Sequence, residues 1–107
     1  MEVRDRIKDQ LEKNAVILYM KGTPDFPQCG FSGKTVEILS ACGAHYTYVN
    51  IFEDAEIREG LKAYSNWPTF PQLYIGGQLI GGCDIVTDLF SLGKLSEMLA
   101  AAGAITE

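Results

Sequence analysis

Apolar positions along the 107-residue chain change their spacing several times, and each change marks an element. Val3, Ile7 and Leu11 recur every four residues among Arg, Asp, Lys and Glu, the spacing of an amphipathic helix. Residues 15–20 form an unbroken apolar run, as expected of a central strand covered on both faces. Residues 22–28 hold one glycine and two prolines and predict a loop. A helix then fits from Cys29 or Gly30 to Cys42, with Val36 and Leu39 inward and Gly43 as its stop. Residues 46–52, rich in aromatic and β-branched side chains, predict a second strand. Asp54 is placed to cap a third helix that aligns Ile57, Leu61 and Tyr64.

Residues 67–71, Trp-Pro-Thr-Phe-Pro, cannot be helical and lead into a strand at 72–75. Gly76-Gly77 then predicts a tight hairpin into 78–80, because paired glycines supply the positive φ angles of such a turn. Asp84 opens a final helical region through Phe90, Leu95, Met98 and Leu99, broken near Gly93. The order α-β-α-β-α-β-β-α(α) gives an α/β fold with a four-stranded mixed sheet flanked by helices on both faces. Its first two strands are expected to run parallel and its last two to form an antiparallel hairpin.

Composition narrows the function. A chain of this length is expected to form one domain over 1–107. A formal net charge of −5, with Lys and Arg scattered among more numerous acids, argues against nucleic acid as a partner. No apolar run approaches a membrane span and the first residues carry no apolar signal, so a cytoplasmic location is the expectation. Three cysteines is an odd count, which makes a structural disulfide framework unexpected.

Cys29 is the cysteine with a setting. It follows the Lys21-to-Gln28 loop that leaves a buried strand and enters a helix, which puts the thiol at a helix N-terminus on the ligand-binding edge of the sheet. Free backbone N–H groups and the helix dipole favour a thiolate there, and Lys21 adds positive charge. Burial as a small apolar residue is the alternative, but the proline-rich approach and Gly30 favour an exposed turn. Three residues on stands Ser32, which cannot form a disulfide. Any redox cycle must therefore borrow its second thiol, and efficient dithiol exchange is disfavoured.

One chain cannot hold a metal centre of four ligands on this thiol. Cys42 lies at the far end of the same helix, roughly 20 Å from Cys29 at ~1.5 Å per residue, with His45 just beyond it. Only Cys83, after the last strand, is placed to approach Cys29. A centre on Cys29 must recruit thiols from a second subunit or a small molecule.

Four motifs in order identify a family. Cys29-Gly30-Phe31-Ser32 is the CGFS signature, preceded by Lys21-Gly22-Thr23-Pro24 and followed by residues 67–72, Trp-Pro-Thr-Phe-Pro-Gln, and then Gly81-Gly82-Cys83-Asp84. Over nearly its whole length the chain resembles the single-domain monothiol glutaredoxins. The resemblance implies the thioredoxin-like fold and a glutathione site. There Lys21 and Arg58 meet the glycine carboxylate, and the backbone of Phe70, at a cis Phe70–Pro71 turn beside Thr69, pairs with the cysteinyl unit. Cys83 and Asp84 receive the γ-glutamyl end, with free N–H groups at the last helix's start taking its α-carboxylate. Read without the family, Arg58 sits on a charged, solvated face and Asp84 is an ordinary N-cap; within the resemblance, Trp67 packs beside the groove and is not a direct contact.

The resemblance further implies a 2Fe-2S cluster bridging two subunits, ligated by Cys29 and one glutathione thiol from each. That makes a cluster-bound homodimer which passes its cargo to apoprotein acceptors in iron–sulfur assembly and redox homeostasis. The enzymatic alternative is slow glutathione-dependent thiol–disulfide exchange (deglutathionylation) through Cys29, resolved by a second glutathione or by Cys83. A third reading is a regulatory module that docks a BolA-like protein through the same cluster.

Overall fold

The computed structural model describes residues 2–105. The elements run α1 (Val3–Lys13), β1 (Val16–Met20), α2 (Gly30–Ala41), β2 (Thr47–Asn50), α3 (Ala55–Ser65), β3 (Gln72–Ile75), β4 (Gln78–Gly81), α4 (Cys83–Ser91) and α5 (Lys94–Ala101). The strands form one sheet in the order β2-β1-β3-β4. β1 pairs parallel with β2 and antiparallel with β3, and β3 pairs antiparallel with β4. This is the four-stranded mixed sheet expected from the element order, in the thioredoxin-like arrangement that the resemblance implies.

β1 is buried along its whole length, and its two faces feed two cores. Val16, Leu18 and Met20 pack with Leu73 against Ile38 and Leu39 of α2, Val86 of α4, and Leu95 and Leu99 of α5. Ile17 and Tyr19 pack with Tyr74 against Ile7 and Leu11 of α1 and Ile57 and Leu61 of α3. The unbroken apolar run arises because period-2 alternation disappears when both faces of a strand are covered. α1 and α3 cross closely: a Cβ on Gly60 would lie 2.6 Å from a Val3 methyl.

Two boundaries and one buried helix face differ from the pattern-based reading. The second strand ends at Asn50, because the Glu53 N–H turns back to the Asn50 carbonyl (3.0 Å), and buried Ile51 enters the α1/α3 core instead. α2 turns Ser32 and Thr35 inward as well as Ile38 and Leu39, while Val36 is half-buried. Its first turn is polar inside, which apolar periodicity does not register. The last helical region begins at Cys83, with Gly82 as N-cap, so Asp84 lies inside the first turn rather than capping it. Gly93, at φ 73°, separates α4 from α5 as expected.

α3 is tied down where it begins. The Asp54 carboxylate caps it by accepting the Ile57 N–H (3.1 Å) and also pairs with Arg6 of α1 (2.5 Å). The Arg6 hydrogen bonds, more than the Ile57 N–H, hold the Asp54 carboxyl below its usual range. Asp54→Ala is expected to cost about 1–2 kcal/mol in urea denaturation at pH 7. Because the folded-state pKa is depressed, this stabilisation is complete above the unfolded carboxyl pKa and disappears as pH falls through the folded one. The difference between wild type and variant should therefore shrink in acid.

Candidate functional site

The loop between β1 and α2 is folded on itself. The Gln28 N–H donates to the Lys21 carbonyl (2.9 Å), Thr23 and Phe26 exchange backbone bonds, and Gly22 at φ 92° makes the turn. Two side chains anchor it. The Ser32 Oγ, fully buried, accepts the Lys21 N–H (3.1 Å). The Asn50 Oδ1 accepts the N–H groups of both Gly22 and Phe52, each at 3.0 Å. The end of β1 is thus fixed to α2 on one side and to the end of β2 on the other.

This frame places half-buried Cys29 at the N-cap of α2, in extended conformation (φ −153°, ψ 138°). Its thiol pKa is lowered, first by the Ser32 backbone N–H, with help from the Phe31 N–H, the Lys21 charge and the Ser32 hydroxyl; partial desolvation opposes them. A helix N-terminus stabilises an anion in this way. Alkylation of Cys29 is expected to reach half its maximal rate at a pH below that of an ordinary cysteine, and to outpace Cys42 at pH 7. Iodoacetamide kinetics read by peptide mass mapping check both points.

Cys29 borders a groove of about 430 Å³ walled by Lys21, Phe31, Trp67, Thr69, Phe70, Pro71, Gly82, Cys83, Asp84 and Ile85. The Phe70–Pro71 peptide bond is cis. At the far end, the first internal bond of α4 runs from the Val86 N–H to the Gly82 carbonyl (3.0 Å). The N–H groups of Cys83, Asp84 and Ile85 therefore have no partner within the helix, and Gly82 has no side chain to cap them. A Cβ on Gly82 would stand 3.2 Å from the Pro71 carbonyl oxygen and 3.6 Å from the Trp67 indole nitrogen, so a glycine lets the helix start pack on the cis-proline loop. Cys83 Sγ lies 3.9 Å from Thr87 Oγ1.

Of the residues singled out from sequence, Lys21, Cys29, Thr69, Phe70, Cys83 and Asp84 meet around this one groove. Arg58 is not among its walls. Its guanidinium sits 5.9 Å from the centre of the Phe52 ring, and its Nε is buried with no hydrogen-bond partner among the described residues. Among the described residues no three His, Cys, Asp or Glu side chains gather as a metal site. Cys42, at the other end of α2, packs on the core and accepts from Ser96 Oγ (3.6 Å).

Comparison with known proteins settles the kinship. The family Glutaredoxin matches residues 16–80. The chain belongs to the glutaredoxin family. Its CGFS signature and its relatives make it a monothiol glutaredoxin: it is 49% identical over 104 residues to Glutaredoxin 4 of Pasteurella multocida, covering 97% of this chain and 95% of that one. Among solved structures, reduced apo GrxS14 of poplar superposes with a TM-score of 0.80 at 47% identity, covering 94% of this chain and 92% of that one. A buckwheat glutaredoxin in complex with glutathione gives 0.84 at 26% identity, covering 97% and 92%.

Sequence reasoning missed several groove residues of this glutaredoxin. Phe31, exposed on the first turn of α2, and Ile85 form an apolar rim that helical periodicity alone would assign to a core. Gly82 carried a signal, as a glycine just after a strand and before a helix. Asn50, which anchors the loop beside Cys29 and does not line the groove, carried none, since a lone carboxamide at the end of a strand reads as a solvated terminus. No helix among the described residues is long and apolar enough to cross a membrane.

Proposed function

We propose that this monothiol glutaredoxin binds glutathione in the groove beside Cys29 and, as a dimer, carries a 2Fe-2S cluster to apoproteins. The observation that carries the reading is the pairing of an activated, accessible Cys29 thiol with a buried serine, not a cysteine, one turn further along α2. A thiolate that cannot close a disulfide with its helix neighbour remains available as a ligand.

The groove fits a tripeptide in size and in polarity. Lys21, which makes no ion pair among the described residues, supplies a cation for the glycine carboxylate. Arg58 would join it by swinging off Phe52, where its unpartnered Nε gives it little to lose. The backbone of Phe70, at the start of the cis-proline turn beside Thr69, offers edge-strand hydrogen bonds to the cysteinyl unit. The free N–H groups at the start of α4 take the γ-glutamyl carboxylate, and exposed Asp84 takes its ammonium. The glutathione thiol then lies beside Cys29.

Two such subunits present four thiolates, two of them on exchangeable small molecules, which suits a cluster that must be handed on. Cys29 also borders a second, more open depression along Gly30, Gly33 and Lys34, whose other lining residues are not those of the glutathione groove. A partner subunit, a cluster acceptor or a BolA-like protein would approach there. This activity belongs in a reducing compartment, consistent with a cytoplasmic location and unpaired cysteines.

Anaerobic reconstitution with iron, sulfide and glutathione tests the proposal. The expected product is a coloured dimer with visible cluster absorption; a colourless monomer contradicts it. The lowered thiol pKa also suits a second reading, glutathione-dependent exchange. There the Cys29 thiolate attacks the glutathione sulfur of a mixed disulfide, forming Cys29–glutathione disulfide and releasing the protein thiolate. A second glutathione thiolate then attacks that disulfide, restores the Cys29 thiolate and leaves as oxidised glutathione. Turnover comparable to a dithiol glutaredoxin in a glutathione-coupled assay would favour this second reading.

A further inference from the structure

One fully buried polar side chain has no place in the chemistry above. Gln72 is the first residue of β3 and is 0% exposed. Its Nε2 donates to the carbonyls of Trp67 (3.0 Å) and Thr69 (3.2 Å), and its Oε1 accepts from the Tyr74 hydroxyl (2.9 Å). The orientation of this amide is fixed by chemistry: a flipped amide would turn its oxygen towards two carbonyl oxygens and leave both without a donor. Tyr74, whose phenol burial keeps protonated, is in turn locked by an edge-on contact with Tyr19 (5.6 Å between ring centres, 86°). The chain of contacts therefore runs from the rigid sheet interior into the 67–71 loop that forms one wall of the groove.

We infer that Gln72 is a positioning residue for glutathione, holding the carbonyls of Trp67 and Thr69 inward so that the Phe70 backbone faces the groove in its binding conformation. The inference rests on the proposed glutathione site. The loop lacks regular backbone pairing, and its proline-rich sequence removes donors that would otherwise tie it down. The two protons of the Gln72 carboxamide hold the Trp67 and Thr69 carbonyls instead, while the Ser65 Oγ accepts the Trp67 N–H (3.1 Å). A wall held in advance spares the ligand the ordering cost of fixing it.

Reduced glutathione is titrated anaerobically into the wild-type protein and followed by backbone amide NMR, and the rate of Cys29 alkylation is measured in parallel. Gln72→Met keeps the volume and removes both donors. The expected result is an affinity weakened about tenfold, with Cys29 alkylation within about twofold of wild type, because the helix end that activates the thiol is untouched. Tyr74→Phe leaves both Gln72 donors in place and removes the hydroxyl that orients the amide and also meets Ser65; it is expected to weaken affinity about threefold and decides the matter if Gln72→Met does not fold. Affinity within twofold of wild type in the folded variant, or a matching fall in thiol reactivity, overturns the positioning role while leaving the glutathione site standing. A wild-type protein that shows no saturable shift overturns both.

Discussion

Cys29→Ser protein, reconstituted with iron, sulfide and glutathione, should hold less than about a tenth of the wild-type visible absorbance and should elute as a monomer. A hydroxyl at this position keeps the N-cap geometry, since serine is a favoured N-cap, so the fold and thermal midpoint should stay close to wild type. The loss would then be of a ligand and not of a structure. Cys42 cannot replace it from the opposite end of α2, and Cys83, at the start of α4, is held near Thr87. The same replacement at Cys83 leaves the proposed bridging thiols intact and is expected to retain cluster.

The largest expected loss of stability from one small change is at Gly22. A methyl there would sit 2.5 Å from the Phe26 carbonyl oxygen and 2.7 Å from the Gln28 nitrogen, both backbone atoms of the same loop, and φ is +92°. Neither clash can be relieved by rotating a side chain, so the loop must open. Gly22→Ala is expected to lower unfolding free energy by about 2–4 kcal/mol in urea or guanidinium denaturation. Opening the loop also disturbs the Lys21 and Asn50 contacts that frame Cys29, so the midpoint of its alkylation profile should move up towards that of an ordinary cysteine. Gly30→Ala is the matched control. Its added methyl meets nothing within 4 Å and the backbone is helical, so stability should be unchanged or raised by up to about 1 kcal/mol.

The sequence was most legible where one physical requirement governs a segment. β1 had to be apolar on both faces, the hairpin needed Gly76 and Gly77 at positive φ, and Asp54 had to satisfy free N–H groups at the start of α3. The candidate site was legible for a related reason: the Lys21 loop, Cys29, the cis-proline turn and the Cys83–Asp84 helix start are each local motifs, and the sheet order gathers their ends. The anchoring roles of residues that act between segments stayed hidden. Ser32, Asn50 and Gln72 each join backbone groups distant in sequence or in conformation, and a hydroxyl or carboxamide that does so looks the same in sequence as one in solvent. Arg58 shows the opposite limit, since a motif can name a cation without fixing where its side chain rests before a ligand arrives.

The most direct test of cluster sharing is native mass spectrometry of anaerobically reconstituted protein. Cluster sharing should give one species of two chains, one 2Fe-2S unit and two glutathione molecules, and no such species when glutathione is omitted. A cluster held by a single chain, or a dimer that forms equally well without glutathione, would contradict it.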